Sequence, residues 1–246
     1  MGWATLMAWL AILLNGCVVI EPEWLKVKTV QLSASPECRL VHFTDLHYRG
    51  DREYMEKMVR RINEAHPQFV CFTGDFVEGT ALLDEALRLL SEIKAPVYGV
   101  PGNHDVGERL DQTKLKQGFA RTGGAWLLDE AVSVPGLRVR IYGATPDTPV
   151  PPTPTPGKLN ILLAHYPLQA DELGEAKFDL ILAGHTHGGQ VRLPGFGALT
   201  HPYGAGRYEY GLYQTRAGPM YVSSGIGYSR MRLRVDCRPE IVVIER

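Results

Sequence analysis

The sequence predicts an α/β fold in which two β-sheets pack together with helices outside. Three observations predict it. Short apolar runs alternate with amphipathic stretches through the first half of the chain, the pattern of strands joined by crossover helices. The second half is richer in apolar runs, more than one sheet would take up. The 246 residues are 45% hydrophobic and 22% charged, enough apolar material for a sizeable core and far from the composition of a disordered, collagenous or coiled-coil chain.

The elements follow in order. Residues 39–44, 68–73 and 97–100 read as short buried strands. Between the first two, Tyr54, Met55, Met58, Val59 and Ile62 share one helical face, and Pro67 follows. Leu82, Leu83, Ala86, Leu87 and Leu90 repeat that spacing, with Thr80 as the expected N-cap and Pro96 beyond the end. Strand, helix, strand in this order implies parallel strands with right-handed crossovers. Further strands are expected at 137–142, 159–164, 180–183, 220–223, 231–235 and 240–244, with Trp126 in the core. Residues 146–156 hold six prolines and read as a loop rather than a domain linker, because strands continue beyond it. No internal repeat is visible.

The first residues form a distinct segment. Residues 3–20 carry no charge, and at 1.5 Å per residue they would span ~27 Å. Trp3, Trp9 and Trp24 lie in or beside the run, and Lys26 and Lys28 follow it, which by the positive-inside rule places the rest of the chain in the cytoplasm. The expectation is a membrane-associated segment over residues 1–24 and a catalytic domain over 25–246. A cleaved signal, with an exported and membrane-anchored domain, is the alternative, although no Lys or Arg precedes the run. Four cysteines, Cys17, Cys38, Cys71 and Cys237, contain no C-x-x-C pair, which excludes a zinc ribbon or thioredoxin motif. Cys71 reads as a core residue, and Cys38 and Cys237 as a pair only if the protein is exported. A formal charge of −1 gives no basic excess for a nucleic-acid polymer.

Five polar clusters carry the chemistry. Each follows an expected strand: Asp45 and His47 after 39–44, Asp75 after 68–73, Asn103, His104 and Asp105 after 97–100, His165 after 159–164, and His185 and His187 after 180–183. Ligands of open α/β sheets gather at the carboxyl ends of the strands, so strands running the same way would bring all five to one edge. The donors are carboxylates, imidazoles and one carboxamide, with no thiolate. That set suits manganese, iron or zinc rather than calcium or an iron–sulfur cluster. The donors outnumber the needs of one ion, and two divalent ions clamp both oxygens of an in-line displacement at phosphorus. Asp75, alone at its strand end, is the expected bridge, and His104 the expected proton donor, oriented by Asp105. His42, His66 and His201 read as structural or surface residues. Neither G-x-S-x-G nor a P-loop motif occurs, which excludes those serine hydrolase and nucleotide-hydrolase mechanisms.

With these motifs in hand, the sequence resembles the calcineurin-like metallophosphoesterase family from about residue 39 to the end. The resemblance implies two packed mixed β-sheets flanked by helices in an αββα sandwich. It also implies a dinuclear centre, with Asp45, His47, Asp75 and His187 on one ion, Asp75, Asn103, His165 and His185 on the other, and His104 catalytic. A narrower resemblance rests on residues 20–25, 188–194 and 238–241. It is to the membrane-associated bacterial phosphodiesterase subgroup, which includes UDP-2,3-diacylglucosamine hydrolases of lipid A assembly. The substrate it implies is a lipid- or nucleotide-linked phosphodiester or pyrophosphate. A phosphomonoesterase or protein phosphatase, and a non-catalytic metal-binding scaffold, are the alternatives. Two substitutions depart from the subgroup: Leu233 where a proline usually stands, and a short proline-rich segment over 147–158. On the substrate side, Arg230, Arg232 and Arg234 alternate along the expected strand 231–235, where Arg232 and Arg234 are candidates to face an anion and a solvated edge is the alternative. Tyr203 is a candidate to cover the substrate from a Gly-rich stretch.

Overall fold

The computed structural model describes residues 21–146, 153–193 and 195–246, together with Met7 and Ala11. Two six-stranded mixed sheets stack face to face. In the first, β1 (Lys26–Gln31) runs parallel to β14 (Glu240–Glu245), which runs antiparallel to β2 (Arg39–Phe43); β3 (Phe69–Phe72), β4 (Val97–Gly99) and β5 (Ala125–Trp126) then follow in parallel. In the second, β12 (Gly211–Thr215) is antiparallel to β13 (Gly218–Val222). Next to β13 lie β9 (Leu180–Ala183), β8 (Leu159–Ala164) and β7 (Val139–Ala144), all parallel, and β6 (Ala131–Ser133) closes the edge antiparallel. A separate antiparallel pair joins β10 (Arg192–Leu193) to β11 (Gly197–Ala198).

β2 is buried on both faces, and its successive side chains alternate between two layers. Leu40 points between the sheets with Phe69, Cys71, Tyr98, Val242 and Ile244 against Ile161, Leu163, Leu180 and Leu182. Val41 and Phe43 point outward and pack with Val70 and Phe72 against helices. Those helices are α1 (Arg52–Glu64), α2 (Leu83–Leu90) and, after the short α3 (Asn103–Gly107), α4 (Gln112–Arg121). Asp51 caps α1 by accepting from the Tyr54 amide at 3.2 Å, and Met55, Met58, Val59 and Ile62 are its buried stripe. The outer face of the second sheet is covered more thinly, by a 3-10 turn over Pro167–Asp171 and by Phe178 and Tyr208.

Several expectations are corrected. Thr80 does not cap α2: it opens a 3-10 turn, Thr80–Leu82, that runs into the helix. Residues 231–235 form no strand. Arg230 and Asp236 sit at φ +54° and +49°, left-handed conformations that break an extended chain at both ends, and only Val235 makes a bridge, to Val191. Cys38, Cys71 and Cys237 are buried free thiols, so Cys38 and Cys237 are not paired. The membrane-associated placement is also overturned: among the described residues no helix is long and apolar enough to cross a membrane. The expected span over residues 3–20 lies outside the described residues apart from Met7 and Ala11. Trp24, expected at a membrane interface, has the Arg238 guanidinium over its ring at 3.8 Å, and its carbonyl accepts from Arg238 Nε.

Candidate metal centre

Parallel strands deliver the five clusters to one rim shared by both sheets. Past the ends of β2 and β3 the two chains remain zipped: Asp45 N–H donates to Gly74 O and His47 N–H to Asp75 O. Asp45, His47, Asp75, His185 and His187 all have φ between +43° and +69°. Left-handed conformations are costly for residues other than glycine and concentrate where function requires them. Here they turn side chains inward that a regular strand end would splay apart. The approach is close as well: a Cβ on Gly184 would lie 2.5 Å from Asp45 Oδ2.

The donors fall into two clusters. Asp45, His47 and His187 have ligand atoms within 4.8 Å of one another, as do Asp75, His165 and His185. Asp75 Oδ2 lies between the clusters, 3.4 Å from His47 Nε2 and 3.5 Å from His165 Nε2. Asn103 Oδ1 is 3.0 Å from His165 Nε2. All but Asn103 and His185 are buried.

Hydrogen bonds fix which nitrogen of each ring is free. His47 Nδ1–H donates to Glu78 at 2.5 Å, His165 Nδ1–H to Thr73 O at 2.7 Å, and His185 Nε2–H to Tyr203 O at 2.5 Å. With one proton on each of these rings, the opposite nitrogens present lone pairs to the centre. They converge on carboxylate oxygen and on each other: His47 Nε2 lies 3.4 Å and His165 Nε2 3.5 Å from Asp75 Oδ2, and His185 Nδ1 lies 3.2 Å from His165 Nε2. Lone pairs and carboxylates gathered in a buried space need positive charge between them. The residues present thus fit divalent cations. The electrostatics agree. Burial works against a charge on His165, yet the Asp75 carboxylate outweighs it and lifts the imidazole to about 9. Burial, and then the charge on His165, push His185 down to about 4. The field of Asp45 and Asp75 draws in one proton where cations would sit.

His104 stands at the rim, its side chain 36% exposed, with Nδ1 3.3 Å from Glu78 Oε1. His104 N–H donates to Asp75 Oδ1. Asp105 does not orient it. Consecutive helical residues do not face each other, and the Asp105 carboxylate is wholly buried, accepting from the amides of Asp75, Phe76 and Gly102, each at 2.8 Å. Burial, and then the Asp75 charge, raise it to about 6. Glu78 is the residue that sequence reasoning missed. It meets His47, His104 and Arg49 together, and its only signal was an acid three residues after Asp75.

The substrate-side candidates separate. Arg234 is fully buried and does not reach the cleft. Arg232, half-exposed, pairs with Glu23 at the mouth of a pocket that His47 also lines. Tyr203 is 88% exposed, and it is its carbonyl, not its ring, that touches the cluster through His185.

The sequence profile of the calcineurin-like phosphoesterases matches residues 38–189, which spans all five clusters. The chain belongs to this family. As a calcineurin-like phosphoesterase it is a metal-dependent phosphoester hydrolase, and its clustered histidines and aspartates form a candidate dinuclear site. It is 31% identical to the uncharacterized metallophosphoesterase YkuE of Bacillus subtilis (strain 168), over 91% of this chain and 86% of that protein. It is 27% identical to the phosphodiesterase YaeI of Escherichia coli (strain K12), over 92% and 89%. Among solved structures it shares its fold with TT1561 of Thermus thermophilus, at a TM-score of 0.52, 12% identity and coverage of 77% and 90%.

Proposed function

We propose that this metallophosphoesterase is a phosphodiesterase whose catalytic domain spans residues 25–246. Asp45, His47, Asp75 and His187 would hold one divalent ion, and Asp75, Asn103, His165 and His185 a second. A nitrogen and oxygen donor set without thiolate suits manganese, with iron or zinc as substitutes. When bound, such ions polarise the phosphoryl oxygens and neutralise charge developing there. The protein groups do the rest. The Glu78 carboxylate, 3.3 Å from His104 Nδ1, pairs with the ring's charged form and leaves Nε2 to hand a proton to the departing ester oxygen. Asp105 keeps the Asp75 turn fixed through three backbone amides.

The observation that carries the diester reading is the pocket beside His47. Leu46, Met55 and Ile226 contribute apolar surface, Tyr54 and Tyr228 contribute rings, and Arg49 and Arg232 contribute charge. The Arg49 guanidinium lies over the Tyr228 ring at 4.4 Å, anchored by bonds to the carbonyls of His47 and Tyr228. The pocket offers a seat for the ester substituent that stays on phosphorus, which only a diester has. The similarity to the phosphodiesterase YaeI supports the same reading. UDP-2,3-diacylglucosamine finds no support in the site or the comparisons, and no lipid-linked substrate is proposed.

Manganese-loaded protein tests it. We expect kcat/KM for bis-p-nitrophenyl phosphate to exceed that for p-nitrophenyl phosphate at least tenfold. A reversed preference would make the enzyme a monoesterase and overturn the proposal.

A further inference from the structure

Arg234 is a buried cation without a buried anion to match. Its side chain is fully enclosed, and among the described residues no carboxylate pairs with it. Such a charge costs several kcal/mol unless its donors are satisfied, and here backbone carbonyls satisfy them. Nη2 donates to Ser224 O at 2.9 Å, Gly225 O at 3.3 Å and Gly227 O at 2.5 Å; Nε donates to Gly227 O; Nη1 donates to Cys237 O at 2.9 Å. The segment 223–227 is thus wrapped around one guanidinium.

The same segment is held from its other side. Glu240, also fully buried, accepts from Ser224 N–H at 3.1 Å and from the hydroxyls of Tyr210 and Tyr221, with Lys26 at 3.3 Å. The peptide at Ser224 therefore has a buried anion on its amide side and a buried cation on its carbonyl side.

What this brace presses against is one cluster of the metal centre. Segment 223–227 follows β13, which ends at the shared rim beside β9. Ile226 N–H donates to Thr44 O and Gly227 N–H to Asp45 O. A Cβ on Gly225 would lie 2.9 Å from the Asp45 Cβ. A second line leads to His187, because Arg234 holds Cys237 O and the Cys237 thiol donates to His187 O at 3.2 Å. Both lines end on the Asp45, His47 and His187 cluster. None of these contacts touches Asp75, His165 or His185.

We infer that Arg234 is a positioning residue for one of the two ions, setting the backbone of Asp45 and His187 directly and reaching the Asp75, His165 and His185 cluster only at one remove, through the bond from the His185 amide to the Asp45 carboxylate. The inference rests on the dinuclear reading above and adds to it an asymmetry between the ions.

Manganese titrations by calorimetry, with elemental analysis of metal per chain, test it. Wild-type protein is expected to bind two ions. Arg234→Lys keeps the charge, but its single ammonium cannot meet carbonyls spread around a planar fork. It is expected to bind one ion as wild type does and the other at least tenfold more weakly. Adding His187→Ala to Arg234→Lys should abolish binding of only the ion already weakened, whereas adding His185→Ala should remove the ion that Arg234→Lys left at wild-type affinity. A purely structural role would lower the melting temperature and weaken both ions together. Two ions at wild-type affinity in Arg234→Lys, or equal weakening of both, overturns the inference alone. Wild-type protein that takes up no manganese overturns the dinuclear reading and the inference with it. If Arg234→Lys does not fold, Cys237→Ala carries the test. It removes the thiol contacts to the His187 and Gly188 carbonyls and to Arg234 Nη1, is expected to weaken the same ion several-fold, and overturns the inference if both ions bind as in wild type.

Discussion

The two sheets bring different things to the rim they share. Of the metal donors, the first supplies both carboxylates, the carboxamide and one imidazole. Its turns after β2 and β3 bond to each other, Asp105 ties the β3 turn to Gly102, and one brace comes from the second sheet, segment 223–227 on Thr44 and Asp45. The second supplies three imidazoles, and two of them lean on the first sheet. Asp45 accepts from the His185 amide at 2.9 Å, and Thr73 O accepts from His165 Nδ1. The carboxylates are the frame on which these histidines hang, so loss of a first-sheet carboxylate should spread and loss of a second-sheet histidine should stay local.

Asp75→Ala is the strongest way to break that comparison. Asp75 is the carboxylate that lies between the two clusters, within 3.5 Å of an imidazole of each. Its loss should empty both metal positions and lower phosphodiesterase activity on the order of 10³-fold or more, since metal ions supply several kcal/mol of charge stabilisation. Elemental analysis checks it, and a variant that kept two ions per chain would deny Asp75 its bridging place.

Asp105→Ala tests whether the first rim is a frame. Three buried amides would lose their acceptor, and at about 1 kcal/mol or more each the cost is about 3 kcal/mol. Urea denaturation of the metal-free protein measures it without interference from bound ions. A loss below about 1 kcal/mol would mean that the Gly74–Asp75 turn holds without its carboxylate.

Glu78→Gln sharpens the comparison within the first rim. The amide preserves size but loses the charge that His47 and His104 share. Turnover should fall about 10²-fold, the lower end for a displaced general acid. Unchanged turnover at saturating metal would place Glu78 with His47 alone.

How legible all this was in the sequence follows the same division. The rim donors could be read because each ends a run of apolar residues, as Asp75 ends Phe69–Phe72 and His165 ends Leu159–Ala164. Fully buried strands in parallel order then place them without knowledge of side-chain contacts. The supports could not be read. β1, Lys26–Gln31, is an edge strand of alternating partly buried and exposed residues and lacks an apolar run. Asp105 looks like a partner of its neighbour His104, and only the helical turn of α3 shows that it points away. Arg234 sits in an alternation that mimics a strand, and its burial depends on carbonyls from a loop ten residues back.

The smallest expected effect lies between the sheets, where His42 gives the clearest contrast with the rim. His42 and His165 are both wholly buried. Asp75 holds His165 charged, whereas burial alone pushes His42 down to about 3, its Nε2 bonded to Thr73 Oγ1 at 2.9 Å. The sign follows from that depression. Below the unfolded value near 6.5 the unfolded chain takes up a proton that folded His42 refuses, so its contribution is intact above pH 6.5 and is lost as pH falls toward 3. Between pH 7 and pH 5 this one group should cost about 2 kcal/mol of stability. His42→Gln keeps a hydrogen-bonding group near Thr73 and cannot titrate. Urea midpoints at the two pH values should therefore converge in the variant relative to wild type. Equal pH sensitivity in both proteins would mean that the layer between the sheets admits the proton, and that the carboxylates of the rim, not an imidazole in the core, set the acid limit of the fold.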